Sequence, residues 1–262
     1  MNSPTLFHKY QGTGNDFILI DDRAETFSLS QQEIVQLCHR RFGIGADGLI
    51  LLRNAVGYDF KMVYFNADGG EGSMCGNGGR CTVRFAHDLG IFAEKTTFLA
   101  VDGPHEATAT PDRIHLKMSP VDKLEKHETY DFIDTGSPHY VAYVDEVDKT
   151  EVVSIGRAVR NNETYGPLGG TNVNFVEVKS PNHLKVRTYE RGVEDETYSC
   201  GTGVTACALS SHVHFGWESP VRIDTVGGEL QVAFRETSPA QFDDIYLIGP
   251  AVKVFDGNFQ SY

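Results

Sequence analysis

A short cysteine motif occurs twice in the chain. The pattern Cys-Gly-x-Gly occupies residues 75–78 and again residues 200–203, at an offset of 125 positions. Two further residue types repeat at the same offset without gaps: Tyr64 with Tyr189, and Glu71 with Glu196. This agreement indicates a duplicated half-chain, each copy of which keeps a cysteine, Cys75 or Cys200, in the same structural place. Two thiols on opposite sides of one carbon atom have the arrangement that inversion of a stereocentre requires.

The residues around each cysteine suit this chemistry. Each motif precedes a segment with helical character, so each cysteine is predicted at a strand-to-helix junction, one Gly-x-Gly turn before the helix. The first N–H groups of a helix have no intrahelical partner and carry the positive end of its dipole. Such a position lowers the pKa of a thiol and can hold a carboxylate. Glycine lets a ligand approach the main chain closely.

Removing the α-proton of an amino acid is difficult for a thiol, whose ordinary pKa is about 8.5. The carbanion-like species must be stabilised as it forms, by donors already aimed at the substrate carboxylate in a site without water. A single base on one face tends to return the proton to the same side, whereas two cysteines on opposite faces invert the centre.

Other readings of the cysteines are weaker. Cys38, Cys81 and Cys207 fall inside helical segments and are interpreted as small core hydrophobes. No zinc site is expected, because neither motif has a second ligand two to four residues away in the usual pattern. A disulfide between Cys75 and Cys200 would be an oxidation artefact in a reducing compartment. The Gly-Thr-Gly at 12–14 lacks the third glycine of a dinucleotide-binding fingerprint.

Composition limits the class of protein. Of 262 residues, 40% are hydrophobic and 23% charged, as in ordinary globular proteins. The formal charge of −13 argues against nucleic acid as a partner. No apolar run reaches the roughly 18 residues that span a bilayer, and the N-terminus lacks the features of a signal peptide. We therefore expect no membrane association, a cytoplasmic location and reduced thiols.

The duplication also predicts the fold. Strand-like Asp47–Leu51 and Lys61–Tyr64 align with Asn172–Val176 and Val186–Tyr189, and hairpin turns at 102–103 and 227–228 correspond. Upstream, Gly14-Asn15 pairs best with Gly136-Ser137, which requires one small insertion.

Helices are predicted at three places. The first follows a capping box at Ser30–Glu33, carries apolar Ile34, Leu37, Cys38 and Phe42, and stops at Gly43. The second begins after Cys75 and runs to Leu89. The third spans Val204–Phe215 and ends before Gly216. Because the third is apolar on nearly every side, it should be buried.

We therefore expect an α/β (α+β) fold of two pseudo-symmetric halves, each a mixed, mostly antiparallel sheet around a central helix, with the active site in the cleft between them. The first repeat would comprise residues 1–119 with a C-terminal strand at about 250–262, and the second residues 120–249. The boundary is placed near Ser119-Pro120, and strand-like Val252–Phe255 has no counterpart in the repeat.

Taken together, these motifs identify a known family. The chain resembles diaminopimelate epimerase over its whole length, and the resemblance rests on both cysteine motifs and on further segments in a fixed order: 12–17, 43–48, 65–69, 74–81, 136–139, 171–173 and 189–192. It implies a PLP-independent enzyme without cofactor or metal that interconverts LL- and meso-2,6-diaminopimelate for lysine and peptidoglycan precursor synthesis. A homodimer is the expected assembly.

The resemblance also implies roles for individual residues. In the family, the counterpart of Cys200 deprotonates the LL isomer and that of Cys75 reprotonates it, with the roles reversed for the meso isomer. His139 and Glu190 would tune the protonation of the thiols. Arg191 suits the distal carboxylate as a fork-shaped donor, and Glu190 suits the ammonium. The remaining substrate-binding residues would be Asn15, Asn66, Gly76, Asn77, Asn172, Gly201 and Thr202.

Two positions depart from the family pattern. Gly48 stands where many members have Gln, and Ser137 stands where many have Asn. The first removes a side chain, for which a water could substitute, and the second keeps a hydroxyl of shorter reach.

Three alternatives remain open from the sequence. Proline or hydroxyproline racemases share the paired cysteines, but usually have His at the position of Asn77 and need no Arg for a distal carboxylate. Isomerases of the phenazine-pathway type replace the cysteines by other groups, which excludes them here. A thiol redox sensor would not need the Asn and Arg set, and a binding module would keep its ligand affinity when either cysteine is replaced by serine.

Overall fold

The computed structural model describes residues 4–260. The chain divides into two compact units. The first runs to Leu116 and resumes at Pro250, and the second is Lys117–Gly249.

The first unit is a mixed sheet with two helices in its described part. Its strands up to residue 117 are β1 (Thr5–Gly12), β2 (Asn15–Asp21), β3 (Gly48–Ala55), β4 (Tyr58–Asn66), β5 (Lys95–Ala100), β6 (Gly103–Ala109) and β7 (Ile114–Lys117), and its helices are α1 (Gln31–Cys38) and α2 (Gly76–Asp88). Neighbouring strands pair in chain order, parallel for β2–β3 and β4–β5 and antiparallel elsewhere.

The second unit repeats this plan. Its strands are β8 (Leu124–Lys126), β9 (Asp131–Asp134), β10 (Pro138–Tyr143), β11 (Asn172–Ser180), β12 (His183–Glu190), β13 (Asp195–Thr197), β14 (Val221–Thr225), β15 (Gly228–Ser238) and β16 (Gln241–Gly249), with α3 (Val152–Arg160) and α4 (Gly201–Phe215). Parallel pairs β10–β11 and β12–β14 alternate with antiparallel pairs, as in the first unit. The predicted duplication and mixed, mostly antiparallel sheets are confirmed.

The last strand, β17 (Val252–Phe259), pairs antiparallel with β1 inside the first unit. Ring contacts of Phe7 with Phe255 and Phe259 accompany this pairing.

One helix lies at the centre of each unit. Ten consecutive residues of α2, 77–86, are buried, as are most residues of α4 from Gly201 to Ser211. The opposite face of each sheet is covered by a shorter helix. In the first unit Ile34 and Leu37 of α1 join the core, and in the second Val152 of α3 packs near Val173 and Tyr189. Within residues 4–260, no helix combines the length and apolar character needed to cross a membrane.

The three predicted helices are present, but the predicted end of the first was wrong. The capping box at Ser30 is present, yet α1 ends at Cys38 because His39 takes an extended conformation and its ring accepts the N–H groups of Arg41 and Phe42. Phe42 is consequently 72% exposed instead of buried. The sequence analysis also missed α3, a short helix containing β-branched residues and Gly156.

Candidate active site

Both motif cysteines cap the N-terminus of the central helix of their unit. Cys75 is the N-cap of α2 and Cys200 that of α4, each with an extended backbone. The first intrahelical bonds run from Gly79 N to the Cys75 carbonyl and from Val204 N to the Cys200 carbonyl. The expectation that Gly-x-Gly precedes the helix is wrong, because these glycines form its first turn. The main-chain N–H groups of that first turn therefore follow each cysteine directly in the chain.

In the first unit, Asn15 connects the cysteine with the helix start. Its Oδ1 accepts a hydrogen bond from Cys75 Sγ at 3.7 Å and one from Asn77 Nδ2 at 3.4 Å. Its Nδ2 donates to Asp47 Oδ2. The carboxylate can only accept, so it fixes which end of the Asn15 amide faces Cys75.

A charged network holds Asp47 in place. Arg40 bonds both Asp47 and Asp16, and Lys9, 5% exposed, bonds Asp16 and the Gly45 carbonyl. Burial alone would raise the pKa of Asp16, but the hydrogen bonds and charges of Arg40 and Lys9 lower it to about 2. The side chain of Asn15 is thereby positioned by Asp47, which Arg40 in turn holds in place.

A buried cation lies in the first turns of α2. Arg80 is 0% exposed and donates to Thr13 Oγ1 at 3.0 Å, to the Pro250 carbonyl at 3.4 Å and to the Gly76 carbonyl at 3.5 Å. These partners are neutral oxygens. Burial lowers the pKa of Arg80, while Cys81 and Cys75 oppose that shift, which places the guanidinium in the electrostatic environment of Cys75.

Asn66 lies at the end of β4, opposite Gly48 of β3, and is exposed. Its backbone bonds the turn at Gly69 and Gly70. A Cβ at Gly48 would meet the Tyr64 ring and come within 2.5 Å of the Phe65 carbonyl. The departure from the family pattern at Gly48 therefore has a local cause, because the ring of Tyr64 fills the space that a side chain would need.

In the second unit, Cys200 is 8% exposed and its Sγ lies 3.5 Å from Thr202 Oγ1. The same hydroxyl is 2.9 Å from His139 Nε2. His139 is fully buried, and burial, followed by the charge of Arg191, lowers its pKa to about 3. The imidazole is therefore neutral at physiological pH, and it reaches Cys200 through the Thr202 hydroxyl.

Asn172 and Arg191 form a second group in this unit. Asn172 is 3% exposed; its Nδ2 donates to Ser137 Oγ at 2.8 Å and to the Pro138 carbonyl at 3.0 Å, and its Oδ1 accepts from Arg191 N at 2.9 Å. Ser137, the second departure from the family pattern, thus contacts Asn172. The Arg191 guanidinium lies 3.5 Å from the Gly170 carbonyl, and no carboxylate within residues 117–249 pairs with it.

Glu190 ends β12, and its Oε2 accepts a hydrogen bond from Thr197 Oγ1 at 2.8 Å. The structure thus groups Asn15, Cys75, Gly76 and Asn77 in the first unit. In the second it groups Cys200, Gly201, Thr202 and His139, and joins Asn172 to Arg191. Sequence reasoning missed Asn174 and Thr188, whose only signal was polar character on the buried face of apolar strands.

The other cysteines are core residues, as predicted. Cys38 is 3% exposed, and Cys81 and Cys207 are 0% exposed. Burial raises the pKa of Cys38 to about 11 and that of Cys81 to about 12, and it raises that of Cys207 as well. These thiols remain protonated and inert at neutral pH.

Comparison with solved structures identifies the fold. A phenazine biosynthesis protein of the PhzF family from Bacillus anthracis superposes with a TM-score of 0.77, covering 99% of this chain and 100% of that one at 12% identity. A hydroxyproline epimerase from Agrobacterium vitis gives 0.69, covering 97% and 92% at 12% identity. The chain has the two-repeat α/β fold that these proteins share.

Sequence comparison is more specific. The family model "Diaminopimelate epimerase" matches residues 7–123 and 132–254. Diaminopimelate epimerases of Flavobacterium psychrophilum and Chlorobaculum tepidum are 49% and 46% identical, covering 95% and 94% of this chain and 98% of each relative. The chain belongs to the diaminopimelate epimerase family and is an isomerase.

Proposed function

We propose that the enzyme interconverts LL- and meso-2,6-diaminopimelate by a two-base mechanism at one α-carbon. The observation that carries the proposal is the equivalent placement of Cys75 and Cys200, each the N-cap of the buried central helix of its repeat. Family membership and the names of the relatives support the choice of substrate.

In the proposed reaction, the Cys200 thiolate removes the α-proton of the LL isomer, and the electron pair of the broken C–H bond passes to the α-carbon and its carboxylate. The Cys75 thiol then gives its proton to the opposite face. The meso product leaves Cys200 as thiol and Cys75 as thiolate, which is the form needed for the reverse reaction. Main-chain N–H groups of Gly76, Asn77, Gly201 and Thr202 stabilise the reacting carboxylate.

The distal end of the substrate requires a cation for its carboxylate and acceptors for its ammonium. We assign the carboxylate to Arg191, whose guanidinium no carboxylate of residues 117–249 neutralises and whose main-chain N–H is held by Asn172. The ammonium is assigned to Glu190, and Asn15, Asn66 and Asn172 complete the binding set. Asn172 already donates both amide hydrogens within the protein, so its remaining capacity is as an acceptor.

The test is incubation with LL-diaminopimelate in D₂O under reducing conditions without added PLP, following deuterium entry at the α-carbon. Cys75→Ala and Cys200→Ala should each abolish epimerisation, and serine at either site should be nearly as damaging because a hydroxyl is far less acidic than a thiol. Cys38→Ala, which removes a buried thiol of α1, is the control. Substantial turnover in either single variant of Cys75 or Cys200 would refute the mechanism.

We further propose that the reaction serves lysine and peptidoglycan precursor synthesis in the cytoplasm, and that the enzyme is a homodimer. Exposed apolar side chains on the β1–β17 pair support an assembly surface: Leu6, Val252, Val254 and Phe255 are 46–56% exposed. Sedimentation should give a dimer that Val254→Asp weakens and Val56→Asp, at a fully exposed turn, does not. A monomer at all concentrations would exclude the dimer.

A further inference from the structure

A chain of hydrogen bonds leads from the interior of the second unit to Cys200. Thr188 Oγ1 donates to Asn174 Oδ1 at 2.9 Å, and Asn174 Nδ2 lies 3.1 Å from His139 Nδ1. His139 Nε2 lies 2.9 Å from Thr202 Oγ1, which lies 3.5 Å from Cys200 Sγ. Asn174, Thr188 and His139 are 0–3% exposed. The arrangement lies within one unit.

The direction of each bond follows from chemistry. Asn174 Nδ2 also donates to the Tyr140 carbonyl at 3.0 Å. A carbonyl can only accept, so the amide nitrogen of Asn174 must occupy this end, and its other hydrogen points at His139 Nδ1. Nδ1 is therefore the acceptor nitrogen of the neutral ring, and its proton resides on Nε2.

The consequence passes on to the thiol. Nε2–H donates to the Thr202 hydroxyl, so the hydroxyl hydrogen is not used by the ring and is free to point at Cys200 Sγ, which as a thiolate can only accept. A donor aimed at sulfur stabilises the thiolate over the thiol. If the proton of His139 were on Nδ1, Nε2 would accept from Thr202 and draw that hydrogen away from the sulfur.

We propose that Asn174 is a positioning residue that fixes His139 as the Nε2–H tautomer and so directs the Thr202 hydroxyl to donate to the Cys200 thiolate. The inference rests on the proposed role of Cys200 as a base. The neutral state of buried His139 agrees with it. Among the titratable groups of this unit, Arg191 acts on His139 through its charge, and Cys200 acts on Cys207.

The geometry of α4 supports the inference. A Cβ on Gly203 would lie 2.5 Å from Asn174 Oδ1 and 3.3 Å from both Cys200 Cβ and His139 Cε1. Glycine therefore allows the first turn of α4 to lie directly against the Asn174 amide and the His139 ring.

The first measurement uses the wild-type protein without substrate. The ¹⁵N chemical shifts of the His139 ring should show protonated Nε2 and unprotonated Nδ1 between pH 6 and 9, a range well above the pKa of about 3. A proton on Nδ1, or an imidazolium, would overturn the proposal regardless of how any variant behaves.

The second measurement follows alkylation of each cysteine by iodoacetamide against pH, resolved by peptide mass mapping. Asn174→Leu cannot donate to Nδ1 and should raise the pH midpoint of Cys200 alkylation by about one pH unit, which slows the alkylation about tenfold at neutral pH. The pH midpoint of Cys75 alkylation should be unchanged. Thr188→Val removes the donor to Asn174 Oδ1 and should also raise the pH midpoint of Cys200 alkylation, but by less than Asn174→Leu does.

Thr205→Val is the matched control, because Thr205 is buried in the same helix but donates back to the Gly201 carbonyl. It should leave the midpoint for Cys200 unchanged. An unchanged midpoint in folded Asn174→Leu, or an equal shift at Cys75, would contradict the proposal. Because neither readout needs turnover, failure of the two-base mechanism would show separately, as activity retained by the Cys75 or Cys200 variants.

Discussion

Gly203 and Gly78 occupy the same position of the duplicated motif, but their surroundings predict opposite responses to alanine. A Cβ at Gly203 would lie 2.5 Å from Asn174 Oδ1, so the carboxamide would have to shift by at least roughly 0.5 Å. A Cβ at Gly78 would lie 3.3–3.5 Å from the ends of the Met62, Ile50 and Phe17 side chains. These atoms can yield by a few tenths of an ångström.

The magnitudes follow from these contacts. Alanine gains about 1 kcal/mol over glycine inside a helix. At Gly203, overpacking costs about 1–3 kcal/mol, and disturbing the bonds of the buried Asn174 amide costs a further 1–3 kcal/mol or so. We therefore expect Gly203→Ala to lower the free energy of unfolding by about 1–5 kcal/mol, whereas Gly78→Ala should change it by less than about 1 kcal/mol.

Urea unfolding followed by circular dichroism, with the two variants measured in parallel, gives this difference. Cys200 alkylation in folded Gly203→Ala should also slow, because the displaced amide no longer fixes His139. Stabilities of the two variants within about 0.5 kcal/mol of each other, smaller than any of the contributions above, would refute the packing argument.

Three further predictions follow. Arg191→Ala should lower kcat/KM for diaminopimelate by roughly 30-fold or more, since leaving the distal carboxylate unpaired costs about 2–5 kcal/mol. If the wild-type enzyme turned over lysine, which lacks that carboxylate, as well as it turns over diaminopimelate, the assignment of Arg191 would be wrong. Oxidation should inactivate the enzyme and dithiothreitol should restore it, with mass mapping identifying a Cys75–Cys200 disulfide; full activity in the disulfide form would contradict this. Asp16→Asn should destabilise the fold at pH 7 by about 2 kcal/mol or more. Because the folded pKa of Asp16 is lowered to about 2, this contribution is complete above the unfolded value near 4 and disappears as the pH falls through 2; a pH-independent difference in urea midpoint would exclude it.

The duplication made much of the fold predictable. Strand pairs, hairpins and the two central helices follow from one repeated pattern, since each copy buries the same faces. The same logic extends to α3, which lies 121 residues after the start of α1, close to the offset of Gly14-Asn15 and Gly136-Ser137. Local propensity concealed it, because β-branched residues and Gly156 are poor helix formers. Gly156 is there for packing, as its Cβ would lie 2.6 Å from Tyr189 Cγ.

The partners of the site residues were not predictable in this way. Motifs placed Cys75 and Cys200 within one turn of a helix start, since that depends on local sequence. Bonds such as Asn174 to His139 and Asn15 to Asp47 join segments more than 30 residues apart, and depend on register. A polar residue at alternate positions of an apolar strand, as at Asn172 and Asn174, signals a buried hydrogen-bonding network, but not its members.

The two repeats surround equivalent cysteines with different chemistry. In the first, the residue five positions after the cysteine is Arg80, a buried guanidinium whose bonds go to neutral oxygens. The equivalent residue in the second is Thr205, whose hydroxyl donates to the Gly201 carbonyl of its own helix. A cation in a poorly solvated interior favours a neighbouring thiolate through charge, whereas the Thr202–His139–Asn174 chain favours it through one directed hydrogen bond. A reversible two-base reaction requires each cysteine to be a thiolate in one direction. The two repeats can therefore differ in this respect and still support the reaction. A nearby cation and a directed hydrogen bond each lower the pKa of a thiol, and neither changes the position of the cysteine at the helix start.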